Sequence, residues 1–381
     1  MRTTCLGTAA LCVVAVWTSS CGGGNAGPTP TPSCTPASPP AFAYVLDGFA
    51  ANSVSMFTID SCTGGLASTT PAAVATGVQP ENMVVDPAGK FAYVANLVSN
   101  AADDATISMF TINSTTGVLT PTTPATIATG YFPQGIGIDP SSKFVYTANS
   151  DGNTVSMFTI NPTTGLLTPT TPASVATGGS PLSVTVHPSD KFAYVANQDD
   201  NTISMYTINS STGVLTPIFP ATVLTGASPF GVTVDPSGRF AYVPNAYGNN
   251  TVSQYTIDSV TGALSPSTPS EAATGNQPTS VAVDPSGKFA YVVNRADDTI
   301  SMYTIDSTTG TLTPNTPFTI ATGAIPFRVV VAPSGKFAYV VNESGPTVSI
   351  YALNSDGTLT VAGAAPAGIT GLAVALTGTA Q

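Results

Sequence analysis

One hexamer, repeated seven times, constrains this chain more than any other feature. It reads FAYVLD at Phe42, FAYVAN at Phe91, FVYTAN at Phe144, FAYVAN at Phe192, FAYVPN at Phe240, and FAYVVN at both Phe289 and Phe337, with successive starts 49, 53, 48, 48, 49 and 48 residues apart. A unit of this length cannot bury both of its faces alone, so the copies must stack on one another. Within each unit, β-branched and aromatic runs bounded by turn residues predict four strands. In the sixth unit these are Ser280 to Val283, the hexamer itself, Ile300 to Ile305, and a run from Thr311 whose prolines suit an outer edge. The inner runs are apolar at both alternating positions, as required of sheets sandwiched between neighbouring sheets. The prediction is all-β: a seven-bladed β-propeller with four antiparallel strands per blade. The first unit lacks an inner strand, whereas Gly371 to Leu376 (GLAVAL) is an inner strand with no hexamer after it. Joining the two closes the ring and removes a reactive edge. The single long spacing traces to an insertion between Leu97 and Thr106, placing it in a loop.

The termini and the charge balance narrow the setting. Residues 1–20 read as a signal peptide, with Arg2 ahead of an apolar run from Leu6 to Trp17 that is too short to span a bilayer. Cys21, followed by Gly22, Gly23 and Gly24, resembles the lipobox of bacterial lipoproteins, although Thr18 stands where that motif has a larger aliphatic residue. The expectation is an exported lipoprotein of the cell envelope: Cys21 lipidated, residues 21–40 a Pro/Thr-rich tether, and residues 41–381 the propeller. Cys34 and Cys62 then remain, either paired in a disulfide or as two free thiols. The net charge of −11 excludes the basic stripe of a nucleic-acid binder.

The VDPSGKFAYVVN, SMYTI and TGTLTP segments, with their sister copies, resemble YVTN-type propellers and the seven-bladed lactonase family. That family includes propeller-type 6-phosphogluconolactonases and a fungal muconate-cyclising enzyme. The resemblance covers residues 41–378 and implies His, Arg and Glu side chains working at the central channel. The only tryptophan, Trp17, lies in the signal segment, which separates the chain from WD-repeat proteins.

His187, the only histidine, stands where four sister repeats have Asp86, Asp139, Asp235 and Asp284, so a structural turn role is expected. No Gly-x-Ser-x-Gly elbow and no Cys/His metal cluster is present, which argues against a Ser–His–Asp catalyst. Lys90, Lys143, Lys191, Arg239, Lys288 and Lys336 share one turn slot, leaving Arg295 and Arg328 as exceptions. The repeats disagree at the start of the inner strand, with Glu81 and Asn82, Gln134, Ser183, Phe230, Thr279 and Ser280, then Phe327 and Arg328. These side chains and Arg295 are expected around the channel mouth, with Arg328 as an anion anchor and Phe230 and Phe327 as apolar walls. The competing reading is drift at a wide opening. The same face gathers Asp47, Glu81, Asp103, Asp104, Asp151, Asp199, Asp200, Asp297, Asp298 and Glu343, which suits either a weak Ca²⁺ site or ordinary turn chemistry.

Three functions follow from these residues. The first is a noncatalytic, monomeric propeller whose acidic face binds a protein or small-molecule ligand, needing no cofactor and touching the membrane only through its lipid. The alternative is a lactone hydrolase resembling 6-phosphogluconolactonases, using Arg328 and Glu81 without histidine. The third is a structural envelope protein.

Overall fold

The computed structural model describes residues 40–48, 51–97, 105–248, 250–367 and 371–377. The expected signal segment, Cys21, Cys34, most of the tether, Asp103 and Asp104 lie outside the described residues. Cys62 is disulfide-bonded.

The described strands form seven four-stranded antiparallel sheets, the blades of a propeller, with no helix among the described residues. In blade 4 the order from the axis outward is Pro181–Val186, Phe192–Asn197, Thr202–Ile208 and Leu215–Leu224. Blade 1 is built from both ends of the domain: Gly371–Leu376 pairs antiparallel with Ala41–Asp47, Val374 opposite Val45. An apolar cluster fills each of the seven junctions between neighbouring blades, including that between blades 7 and 1.

The hexamer recurs because it latches each blade to the next. Its Phe lies under the turn glycine that joins the third and outer strands of the following blade. A Cβ on Gly213 would sit 2.3 Å from the Phe144 ring, and one on Gly262 the same distance from Phe192. These glycines also hold a positive φ near 73°, so two independent requirements select glycine. The hexamer Tyr donates its hydroxyl to the same glycine's carbonyl: Tyr146 to Gly213 at 2.9 Å, Tyr194 to Gly262 at 2.8 Å, and Tyr339 of blade 7 to Gly64 of blade 1 at 3.0 Å.

Blade 6 breaks the rule. The turn it faces in blade 7, Asn354 to Gly357, is one residue shorter than its sisters, with Gly357 N–H bonding Asn354 instead of a residue four back. Gly357 still covers Phe289, but the buried Tyr291 hydroxyl finds no partner. Removing a satisfied buried hydroxyl costs stability, whereas removing an orphan does not. Tyr194→Phe is therefore expected to destabilise by about 1–2 kcal/mol and Tyr291→Phe by less than about 0.5 kcal/mol. Denaturant titration of the two variants checks this, and equal losses would contradict the latch.

The last residue of the hexamer is a buried Asn that binds the third strand; Asn197 Nδ2 donates to Thr202 Oγ1 and Ser204 Oγ at 3.0 and 2.9 Å. In blade 1 this slot holds Asp47, only 2% exposed, which accepts from Ser53 and Ser55 at 2.9 and 2.8 Å. Asp47 is thus a strand-end residue and not one of the exposed loop acids, correcting its expected place. His187 takes the turn role expected of it. Its Nδ1 accepts the Ser189 N–H at 3.0 Å, so Nε2 carries the proton toward the Gly238 carbonyl at 2.8 Å.

Blade 5 has the shortest inner strand, Thr233–Val234. Pro244 stands in the adjoining strand where sister repeats have Ala, Val or, in blade 1, Leu46, and without an N–H it cannot donate to the inner strand.

Candidate functional site at the channel mouth

Strand register places one residue per blade at the same height on the axis, opposite the fifth hexamer residue. Asn82, Gly135, Ser183, Ser280, Arg328 and Ala373 occupy that slot, and the repeat alignment adds Gly231. Six of the seven are small or short, and Arg328 alone carries a long cationic chain. It reaches past blade 1, where Ala373 offers only a methyl group, and its Nη1 donates to Asn82 Oδ1 of blade 2 at 2.7 Å. Asn82 is held in turn by the Met83 N–H at 2.9 Å. The remaining guanidinium nitrogens have no protein partner but are not sealed off, so their donors open on the cavity.

That cavity has a volume of about 490 Å³ and runs along the axis between the inner strands. Of the expected residues, Asn82, Ser183, Phe230, Thr279, Ser280 and Arg328 line it. Several of their hydroxyls already serve the fold. Ser183 and Ser280 accept the N–H groups of Val232 and Val329, both at 3.3 Å, and Thr279 donates to the Phe327 carbonyl at 2.8 Å. Thr185 and Thr233, not singled out from sequence, do the same for the Val232 and Val281 carbonyls at 2.6 and 2.7 Å. Each inner strand has an unpaired edge toward the axis, and in blades 5, 6 and 7 hydroxyls of the preceding blade satisfy part of it.

The mouth is divided. On one side Phe230 and Phe327 meet edge to face, centroids 5.5 Å apart, above Thr279. Beside them lies a cleft of about 250 Å³ that includes Tyr247, Gln277 and Arg295. Arg295 makes the only ion pair among the described residues, Nη2 to Glu343 Oε2 at 2.6 Å, while its Nε is buried without a partner. The other side is polar: Arg328, Asn82, the Gln134 carbonyl, which accepts from Asn82 at 3.4 Å, and Glu81 at the rim. Burial pushes the Glu81 carboxyl up to about 7; the Arg328 charge offsets part of that rise and the Glu343 charge adds to it. Burial likewise lowers the Arg328 pKa, and Glu81 counteracts it. The two are not in direct contact, so the coupling acts through space.

The acidic loops follow turn chemistry. Asp200 accepts the Gly179 N–H, Asp297 the Asn276 N–H, and Asp298 the Ile325 N–H of the next blade, each at 2.7 Å. No group of three or more metal-ligating side chains converges among the described residues. Gly135 and Gly137 were also missed in the sequence. A Cβ on either would fall 2.7 or 2.5 Å from the Leu182 or Val184 carbonyl oxygen, so blades 3 and 4 touch backbone to backbone at the axis. Two glycines inside one strand, PQGIGI, are the signal that would have found them.

The family model described as lactonase, 7-bladed beta-propeller, matches residues 41–185, 121–226, 169–281 and 269–375, from blade 1 into the closing strand. The chain belongs to this family. Among solved structures, this lactonase-family propeller is similar to a candidate 6-phosphogluconolactonase from Bacteroides uniformis, with TM-score 0.75 and 19% identity over 89% of this chain and 99% of that one. A second candidate 6-phosphogluconolactonase, from Bacteroides fragilis, gives 0.73 and 21% over 89% and 98%. The periplasmic gluconolactonase of Pseudomonas aeruginosa gives 0.71 and 16% over 88% and 99%. At these identities the structures share the fold. No curated protein sequence matches the chain. Family membership favours the lactone-hydrolase alternative and lends no support to the noncatalytic reading that the sequence put first.

Proposed function

We propose that this propeller hydrolyses a neutral lactone at the polar side of its channel mouth. The observation that carries the proposal is the placement of Glu81, whose carboxyl burial pushes up to about 7, within the field of an arginine whose free donors open on the cavity. An ordinary carboxylate is too weak a base to take a proton from water, and one tuned toward the working pH is better suited. Glu81 accepts a proton from water as the water oxygen bonds to the lactone carbonyl carbon. The oxygen that becomes negative sits against the Arg328 guanidinium, held in place by Asn82. The ring C–O bond then breaks, the leaving alkoxide takes the proton from Glu81, and a hydroxy acid results.

Neutrality follows from the distribution of cations. Of nine basic residues, Arg2 is N-terminal and six lie in turns at the other end of the inner strands from Arg328. Arg295 is paired with Glu343, so a phosphate at the mouth would meet Arg328 alone within an acidic face. Multiple charge-assisted donors are the usual means of holding a phosphate. Acid release from glucono-δ-lactone, its 6-phosphate and δ-valerolactone, followed by pH-stat, tests both points. The phosphate is expected to react at least about tenfold more slowly than the neutral sugar lactone. No release above the spontaneous rate from any of the three would end the hydrolase reading.

A further inference from the structure

We infer that the channel beneath Arg328 receives an apolar substituent of the substrate, so that the site selects an alkyl- or aryl-substituted lactone over a polyhydroxylated sugar lactone. The inference rests on the hydrolase reading for which atoms react, but not for what the channel binds.

The first observation is the one-sided polarity of the cavity. Arg328 and Asn82 join at the mouth, with Glu81 near enough to feel the Arg328 charge, whereas deeper in the channel the half-buried wall positions include Val234, Val283 and Val330. A sugar lactone brings a hydroxyl on most ring carbons, and each needs a partner once buried. The channel's own hydroxyls supply few of them, because Thr185 and Thr233 give their only protons, and Ser183 and Ser280 one lone pair each, to the edges of neighbouring inner strands. Each buried hydroxyl left unpartnered weakens binding by about tenfold.

The second observation is the position of the aromatic pair. Phe230, which lines the channel, and Phe327, which precedes Arg328 in the same strand, form an apolar lip at the mouth. A carbonyl directed at the guanidinium thus carries the rest of the molecule past aromatic edges and down a valine-lined bore. The volume of about 490 Å³ is within the range of small-ligand cavities and is several times that of an unsubstituted lactone ring. Polar anchors at one end and apolar walls along the rest fix the orientation: ester at the mouth, tail inward.

The test uses δ-lactams, which keep the ring and carbonyl but resist hydrolysis, with alkyl tails of increasing length, alongside the matching δ-lactones and gluconolactam. Calorimetry on the intact protein is expected to show affinity rising about threefold to fourfold per methylene until the channel is full. Val283→Phe, which places a ring in the bore, is expected to reduce the ratio of long-tail to tail-less affinity at least about tenfold. Val234→Phe serves the same purpose if the first variant does not fold. Affinity that ignores tail length, or gluconolactam binding more tightly than the alkyl series, would overturn the inference. Tail-dependent binding without hydrolysis of any lactone supports the apolar channel and retires the hydrolase reading. Hydrolysis of sugar lactones with a flat alkyl series does the reverse.

Discussion

Arg328→Ala is expected to lower kcat/KM for lactone hydrolysis by about 10²–10³-fold, the usual cost of losing one preorganised oxyanion donor. The guanidinium is fixed before substrate arrives: one nitrogen is tied to Asn82 at 2.7 Å and the others face the cavity. Positioning of this kind favours the developing charge over the ground-state carbonyl, so the loss belongs mainly to kcat. Arg328→Lys should recover little, because an ammonium lacks the planar fork that serves Asn82 and the substrate together. The same variants carry an internal control. Arg328 holds the Glu81 carboxyl below the value that burial alone would give it, so the pH inflection of residual activity moves upward in Arg328→Ala. The fold should be spared, since the blade 7 latch to blade 1 runs through Phe337, Tyr339 and Gly64, not through Arg328. Activity within threefold of the parent in a folded Arg328→Ala protein would remove the arginine from the mechanism.

The ring was legible in the sequence because seven copies of one pattern report the same strand faces seven times, and the unmatched ends can be joined in one way. The shorter blade 7 turn was equally legible as a missing residue; that it orphans Tyr291 was not, because the tyrosine's partner lies in the next blade. The site was legible as positions where the repeats differ, but not as roles. Ser183, Thr279 and Ser280 read as a polar pocket, yet their hydroxyls close the edges of adjacent strands. Asp47 read as a loop acid, yet it ends a strand in the buried Asn slot. Strand periodicity says which face a side chain takes. It does not say which backbone group of the neighbouring blade comes within reach, since that depends on the rotation between blades. The contact of Arg328 with Asn82 is the extreme case: it crosses 246 residues of sequence and depends on an alanine in the blade between.

The rotation that hides these pairings also explains why one mouth has two unlike sides. Gly135 and Gly137 draw blades 3 and 4 together at the axis, whereas Pro244 and Gly231 leave blade 5 with a two-residue inner strand. Phe230 enters the opened space and meets Phe327 over the short Thr279 side chain. Arg328 and Asn82 meet in the arc from blade 7 through blade 1 to blade 2, where Ala373 leaves them free to join.

Glu81→Gln is the second variant with a large expected effect, and pH separates its possible roles. As a general base Glu81 must be ionised, so kcat/KM should rise with pH through an inflection at about 7 and level off above it. The amide cannot take a proton, and the expected loss is about 10²–10⁴-fold together with the inflection itself. Stability gives an independent reading of the same carboxyl. Its folded pKa is raised, so between about 4.5 and 7 the folded state holds more protons than the unfolded chain, and stability falls as pH rises through that window. Allowing for the solvent that still reaches the carboxylate, the parent should be about 1–2 kcal/mol less stable at pH 8 than at pH 4 on this account, a difference that Glu81→Gln abolishes. Glu343→Gln provides the complementary shift: removing the charge that helps raise Glu81 moves the inflection downward while the plateau rate stays near that of the parent. If Glu81→Gln lost its pH-dependent stability term yet kept both rate and inflection, Glu81 would be a buried acid of the rim and the base would have to be another group.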